Sequence, residues 1–353
     1  MTESTRKTTE TTANVATAPF ISQSLPSPAG ASGFNQIRQG TVTNELTKAG
    51  KRRGNTIVDQ ITGAASILQG DITVTFPSLG AAGGLKTSAH RLLDAVTVEL
   101  TETGAKGPTV TMQLSDYMAK CGLSDRKEAR KQITADLETL FNARISLKEK
   151  PSRGKGKSQE PRGFMDVRIC DSKGLSRSGV ITFKFSDTFY SLLKGYPVMP
   201  YPPQLFRLSA KYNPNSYYFL RRISEHKRMN AGKSNADIIG VQTLLNASPM
   251  AKSIEAVMEG NRNITDRIIT PFERDMDALA ETLTWEYCHS NGAPLQEHEL
   301  PVTDYDAFTR LLVHITWNNY PEQTHLIEAR TARASSAKKR RGACKKKEEE
   351  AEA

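Results

Sequence analysis

The chain has 353 residues, 48 Lys plus Arg against 38 Asp plus Glu, a net charge of +10 and 37% hydrophobic residues. That length holds two ordinary domains; the basic balance fits a polyanionic partner, and the low apolar fraction predicts that part of the chain is disordered. Cys121, Cys170, Cys288 and Cys344 form no CxxC pair, which argues against a metal site and a disulfide framework, and no run approaches ~20 apolar residues, so no membrane span is expected.

Residues 1–70 are rich in Ser, Thr, Gly and Ala and read as a largely disordered head, with a short helix expected over 56–70. No apolar run follows the charges at the N-terminus, so no signal peptide is expected and a reducing cytoplasm is the natural location. Ile72-Thr-Val-Thr-Phe76 alternates as a strand does. Leu92, Leu93, Val96 and Leu100 line one side of a helix over 85–102, and 109–113 reads as a strand.

Residues 114–147 carry the strongest signal. A short apolar helix, Leu114–Cys121, is followed by the turn Gly122-Leu123 and a longer amphipathic helix. In the latter, Ala129, Ile133, Leu137, Leu140 and Phe141 make one apolar face. Arg126, Lys127, Arg130, Lys131 and Thr134 lie away from that face. Helix, tight turn, basic helix and strand is the order of a winged helix-turn-helix, which points to duplex DNA. The competing reading of the basic residues is a solvated helix face.

Three strands are predicted next, at 144–149, 164–170 and 179–185, the last two joined around Lys173-Gly174. A hairpin directly after the basic helix is where a wing belongs. Its connection, 151–162, contains Arg153, Lys155 and Lys157, suited to phosphates if it is a wing tip. A short helix at 186–193 closes the unit. After a Pro/Tyr-rich joint at 197–203, helices are predicted at 215–230, 241–245 and 250–259. A long helix capped by Asn263 then carries Ile268, Phe272, Met276, Leu279 and Leu283, with a kink or late start at Pro271. Arg262, Arg267 and Arg274 are its candidate DNA contacts; pairing with Asp266, Asp275 or Asp277 is the competing reading. Trp285–Tyr287 and Phe308–Trp317 read as a strand pair, so the second half repeats the first in kind. In the tail, nine basic side chains from Arg330 to Lys347, among them Lys338, Lys339, Arg340 and Arg341, face four glutamates.

Phe183-Lys-Phe-Ser-Asp-Thr-Phe-Tyr-Ser-Leu-Leu193 and Asn213-Pro-Asn-Ser-Tyr-Tyr-Phe-Leu-Arg-Arg-Ile223 resemble the joint between the two winged helices of plasmid replication initiators. Ile264-Thr-Asp-Arg-Ile-Ile-Thr-Pro-Phe-Glu-Arg-Asp-Met-Asp-Ala-Leu279 resembles the recognition helix of their second domain. The likeness covers roughly residues 70–320 and implies binding to origin repeats of a plasmid or mobile element, duplex opening, and recruitment of a host helicase or helicase loader. It leaves monomer and homodimer both open.

The expected architecture is therefore α+β: a head at 1–70, winged-helix domains at 71–195 and 196–330, and a disordered tail at 331–353. Covalent chemistry is not expected. Gly156-Lys157-Ser158 and Gly232-Lys233-Ser234 lack the upstream Gly of a phosphate loop, which is Pro151 in one and Lys227 in the other. The six histidines supply no pair around one apolar residue for a nicking metal site. Arg310, His314 and Tyr320 have no second basic group of the sort a tyrosine recombinase needs. No cofactor or metal is expected. A winged-helix transcriptional regulator and a DNA-nicking or recombining enzyme are the alternatives.

Overall fold

The computed structural model describes residues 33–48, 56–58, 65–69, 72–76, 85–104, 106–148, 164–260, 263–300 and 304–321. It opens with β1 (Asn35–Arg38) and α1 (Thr41–Leu46), followed by β2 (Thr56–Val58), β3 (Ala65–Gln69) and β4 (Ile72–Phe76). The head read as largely disordered thus contributes to the fold. Ile37 and Leu46 are buried, and β1 pairs antiparallel with a strand 160 residues later, Asn35 opposite Tyr201 and Arg38 opposite Val198. Residues 56–58 and 65–69 are strands, not the expected helix. Short apolar runs leave helix and strand undecided until a partner strand is found.

The first half is organised on α2 (Thr87–Glu102), which is buried on almost every side. β5 (Thr109–Gln113) leads into α3 (Leu114–Cys121), α4 (Arg126–Asn142), β6 (Arg144–Lys148), β7 (Phe164–Arg168), β8 (Cys170–Leu175), β9 (Val180–Phe185) and α5 (Asp187–Gly195). The strands form two sheets. One has the order β2-β3-β4-β6-β7 and the other β5-β9-β8. β9 alternates as a half-buried strand must, with Ile181, Phe183 and Phe185 inward.

This topology corrects the placement of the wing. The hairpin expected to fill that role, β6–β7, belongs to the sheet built with β2–β4. The strand before the helical pair, β5, pairs instead with β9, Val110 opposite Phe183, and β9 pairs with β8. Lys173 and Gly174 lie within β8, and the turn is Ser176–Gly179. Gly179 sits at φ +99°, a backbone region that favours glycine, and its carbonyl accepts from the Leu114 amide at 2.7 Å.

β10 (Val198–Tyr201) and α6 (Gln204–Arg207) form the joint. Beyond it come α7 (Ser216–Met229), β11 (Ile238–Gly240), α8 (Val241–Ala247), α9 (Ala251–Met258), a π-helical turn at Thr265–Ile269, α10 (Thr270–Asp277), β12 (Leu283–Cys288), α11 (Tyr305–Arg310) and β13 (Leu312–Trp317). The sheet order is β11-β13-β12. As in β5-β9-β8, the strand before the helices pairs with the last strand of the hairpin. The π-turn answers the question raised by Pro271. Proline has no N–H and crowds the carbonyl four residues back, so the turn before it widens and Thr270 N–H bonds to Thr265 O. Leu279 and Leu283 are buried as expected, but beyond the helix, Leu283 as the first residue of β12. Phe308 lies in α11 and not in the final strand.

Candidate nucleic-acid interface

The helical pair of the first half is set by two caps. α3 stops at Gly122, whose φ of 65° is left-handed, with Leu123 N–H bonded to Met118 O at 2.9 Å and Gly122 N–H to Ala119 O at 3.3 Å. Three residues on, Asp125 Oδ1 accepts from the Lys127 and Glu128 amides at 2.8 and 3.1 Å and starts α4. α4 buries Ala129, Ile133, Asp136, Leu137 and Leu140, with Phe141 packed alongside. Its expected inner face is therefore its actual one, with Asp136 added. On the inner face Asp136 Oδ1 accepts from Ser88 Oγ at 2.9 Å and Gln132 Nε2 at 3.0 Å. Burial outweighs these bonds and pushes its carboxyl up to about 6.

The outer face is basic and touches the β8–β9 turn. Arg126 Nη2 lies 3.5 Å from Ser178 O, and Arg130 Nη2 donates to Ser176 O at 2.9 Å. Arg126, Lys127 and Lys131 are exposed, and the two lysines make no ion pair among the described residues. Thr134 is exposed, but its hydroxyl turns back onto Arg130 O at 2.8 Å. Farther along, Lys173 of β8 pairs with Glu138. The turn adds Arg177, exposed at its tip, which the sequence reading missed. The signal was present as the turn-forming Ser-Arg-Ser-Gly between two alternating runs.

The second half is less cationic. Arg267 is exposed on the π-turn, beside Asp266, which is bonded to Asn263. Arg274, expected as a DNA contact, holds the fully buried Asp275 through Nε and Nη2, both at 2.8 Å. Asp275 in turn accepts from the Asn215 amide at 2.9 Å and Asn215 Nδ2 at 2.8 Å, fixing α10 to the start of α7. Glu273 accepts from Tyr287 Oη at 3.2 Å, and Asp277 from Trp285 Nε1 at 3.0 Å. The helix–hairpin ties here run through acidic groups, whereas in the first half they run through arginines.

The structure thus brings together Arg126, Lys127, Arg130, Lys131 and Thr134, places Arg267 on a separate helix, and turns Arg274 to an internal partner. Arg153, Lys155, Lys157, Arg262, Lys338, Lys339, Arg340 and Arg341 lie outside the described residues. Among the described residues no group of His, Cys, Asp and Glu could hold a metal ion, and no helix is long and apolar enough to cross a membrane.

A strand, two helices joined by a capped turn, and a hairpin whose last strand returns to the first define a winged-helix domain of the nucleic-acid-binding kind. Residues 79–196, from before α2 to the end of α5, match the family described as Initiator Replication protein, WH1. The resemblance to replication initiators read from the sequence is met by this match over that segment, about a third of the chain. No curated protein matches the chain. Among solved structures, domains 2 and 3 of RctB are 12% identical, covering 78% of this chain and 98% of that one, with a TM-score of 0.40. A second structure of those domains is 11% identical, with coverage of 77% and 96% and a TM-score of 0.41. The MSBI1.176 WH1 domain, a replication protein isolated from a multiple sclerosis patient, is 21% identical over 32% of this chain and 84% of its own, with a TM-score of 0.26.

Proposed function

We propose that the chain is a tandem winged-helix initiator that binds repeated duplex sites at the origin of a plasmid or mobile element and recruits a host helicase or helicase loader there. One observation carries the reading. In a segment matching the initiator winged helix, α4 turns a basic, solvent-facing side toward the same surface as the β8–β9 turn. Lys127, Arg130 and Lys131 would meet phosphates and guanine edges in the major groove, with Arg177 beside them on the backbone. The repeated strand order of the second half supports a second reader, with Arg267 on its helix. The acidic ties of α10 make it the weaker electrostatic partner, so most phosphate attraction falls to the first half.

The protein acts on DNA in the cytoplasm without covalent chemistry. Both points are tested on supercoiled plasmid carrying the DNA that flanks the gene. Protection from nuclease over direct repeats of ~20 bp, two helical turns, is the expected result. Binding no stronger than to random DNA would overturn the reading. The plasmid should also stay supercoiled with Mg²⁺ or Mn²⁺ present; site-specific nicking lost on changing one tyrosine would make the protein an enzyme.

A further inference from the structure

Between the two halves lies a buried polar cluster that neither DNA-reading surface uses. Asp94 of α2 is 2% exposed and Arg221 of α7 is 5% exposed. Arg221 Nη1 is 3.0 Å from Asp94 Oδ2. The same oxygen accepts from Tyr201 Oη at 2.8 Å and Tyr217 Oη at 2.6 Å, and the guanidinium lies 5.4 Å from the Tyr201 ring centre. The two hydroxyl donors and the paired guanidinium come from the joint strand β10 and from α7, and the carboxylate comes from the central helix of the first half. Burial pushes the Asp94 carboxyl up, against the pull of Arg221 and the two hydroxyls.

Such a cluster is costly to desolvate and directional once formed. Sliding α7 along α2 would carry Arg221 and Tyr217 away from Asp94 and leave a buried charge without its partner. Apolar packing alone tolerates small shifts far better.

Other ties run the same way. Gln204 Nε2 of α6 donates to Ala278 O at 2.9 Å, just past α10, while α6 packs on α3. The N-terminal segment straps both halves: the Arg38 amide donates to Thr101 Oγ1 at 3.1 Å, and Asn44 Nδ2 to Glu225 Oε1 of α7 at 2.6 Å.

We propose that Asp94 and Arg221 are positioning residues that lock the separation and rotational phase of the two DNA-reading helices, so that the chain accepts a duplex site of one internal spacing only. This deepens the tandem-reader proposal and rests on it. It makes the molecule a ruler rather than two readers on a tether.

The probe is a duplex of about 40 bp selected by the full chain from a random library, with one, two, five or about ten base pairs then inserted between its two required segments. The wild-type chain should lose about 100-fold or more in affinity with each insertion. Ten added base pairs restore helical phase but lengthen the site by ~34 Å, so the ruler fails there where a tethered pair would recover. Asp94→Asn combined with Arg221→Met removes both buried charges together, which spares the fold an orphaned ion. That variant should melt cooperatively and discriminate at least about tenfold less against one- and two-base-pair insertions. Tyr201→Phe, which removes one donor and adds nothing to the core, should move the same ratio part of the way.

Wild-type tolerance of any insertion, or recovery at ten base pairs, overturns the proposal whatever the variants do. A folded double variant with unchanged discrimination overturns it equally. Failure to select any site would instead sink the reading of the chain as a specific DNA binder, and the spacing rule with it.

Discussion

Arg130, on the basic face of α4, donates to the carbonyl of Ser176 in the β8–β9 turn at 2.9 Å. The side chain proposed to meet a base edge is therefore also a strut between α4 and the hairpin beside it. Gly179 shows how close that contact is, since a Cβ there would stand 3.2 Å from Arg126 Nη2. Helix and turn form one surface.

Arg130→Ala should therefore have two effects. Binding should weaken by about 1–3 kcal/mol, with preference relaxed at one or two base pairs. Amide exchange over residues 176–180 should also speed up in the free protein. Lys131→Ala should weaken all sequences alike, lower the salt slope by about 1, and leave base preference and exchange in the turn unchanged. Competition binding with base-substituted sites and hydrogen exchange measure the two effects. An Arg130→Ala protein with unaltered exchange in the turn would mean that the strut has no role in solution.

The N-terminal strap is tightest at Gly40. Its φ of −149° is open to any residue, so space decides the outcome, and a Cβ there would lie 2.3 Å from Tyr196 Cδ1. Gly40→Ala must displace that ring or the strap, at an overpacking cost of about 1–3 kcal/mol. Urea denaturation reads the change, and Tyr196→Leu in the same chain should recover part of it. Wild-type stability for Gly40→Ala alone would show that the strap does not hold this position.

What the sequence made legible was local. The apolar and basic faces of α4 are written at helical spacing, and the turn before it is marked by Gly122. The wing was misplaced because two hairpins follow α4, and alternation says which residues point inward, not which sheet a strand joins. That choice is made by the long-range pairing of β5 with β9. β1 and α1 were hidden in Ser/Thr-rich sequence, where Ile37, Val42 and Leu46 are too sparse to register as a pattern. For Arg274 both a DNA contact and a pairing with Asp275 were readable; the structure forms the Asp275 pair, and the burial of Asp275 against Asn215, sixty residues away, has no local signature. The Asp94–Arg221 pair has no local signature at all.

Asp136 lies on the buried side of α4, and its Oδ2 has no hydrogen-bond partner among the described residues. Burial pushes this carboxyl up to about 6, against Ser88 and Gln132. A raised carboxylate contributes stability below its unfolded value near 3.9 and loses it as pH rises to about 6. The loss is on the order of 3 kcal/mol, two units at about 1.4 kcal/mol each. Asp136→Asn keeps an acceptor for Ser88 and Gln132 and carries no charge. Its advantage over wild type in urea should be near zero at pH 4 and grow to at most that size by pH 7. An advantage of the same size at both pH values would assign the effect to something other than ionisation.

His90 titrates with the opposite sign. It is buried on α2, with its ring 6.0 Å from Tyr217 and 5.9 Å from Tyr218. Burial, then the charge of Arg221, pushes it down to about 3. Below pH 6.5 the unfolded chain takes up a proton that the folded chain refuses, so stability present above pH 6.5 falls as pH drops toward 3. At pH 5 the loss is about 2 kcal/mol, one and a half units at about 1.4 kcal/mol each. Because Asp136 gains stability over part of the same range, the wild-type curve alone can look flat. The two groups separate only by difference. His90→Phe keeps the aromatic packing and removes the proton site, so its stability relative to wild type should rise by about 2 kcal/mol from pH 7 to pH 5. The same comparison in an Asp136→Asn background should give the same difference, since neither residue is a cause of the other's shift. Parallel curves for His90→Phe and its parent between pH 7 and 5 would show that His90 is free to take its proton in the folded state, and that the contact between α2 and α7 is looser than the structure describes.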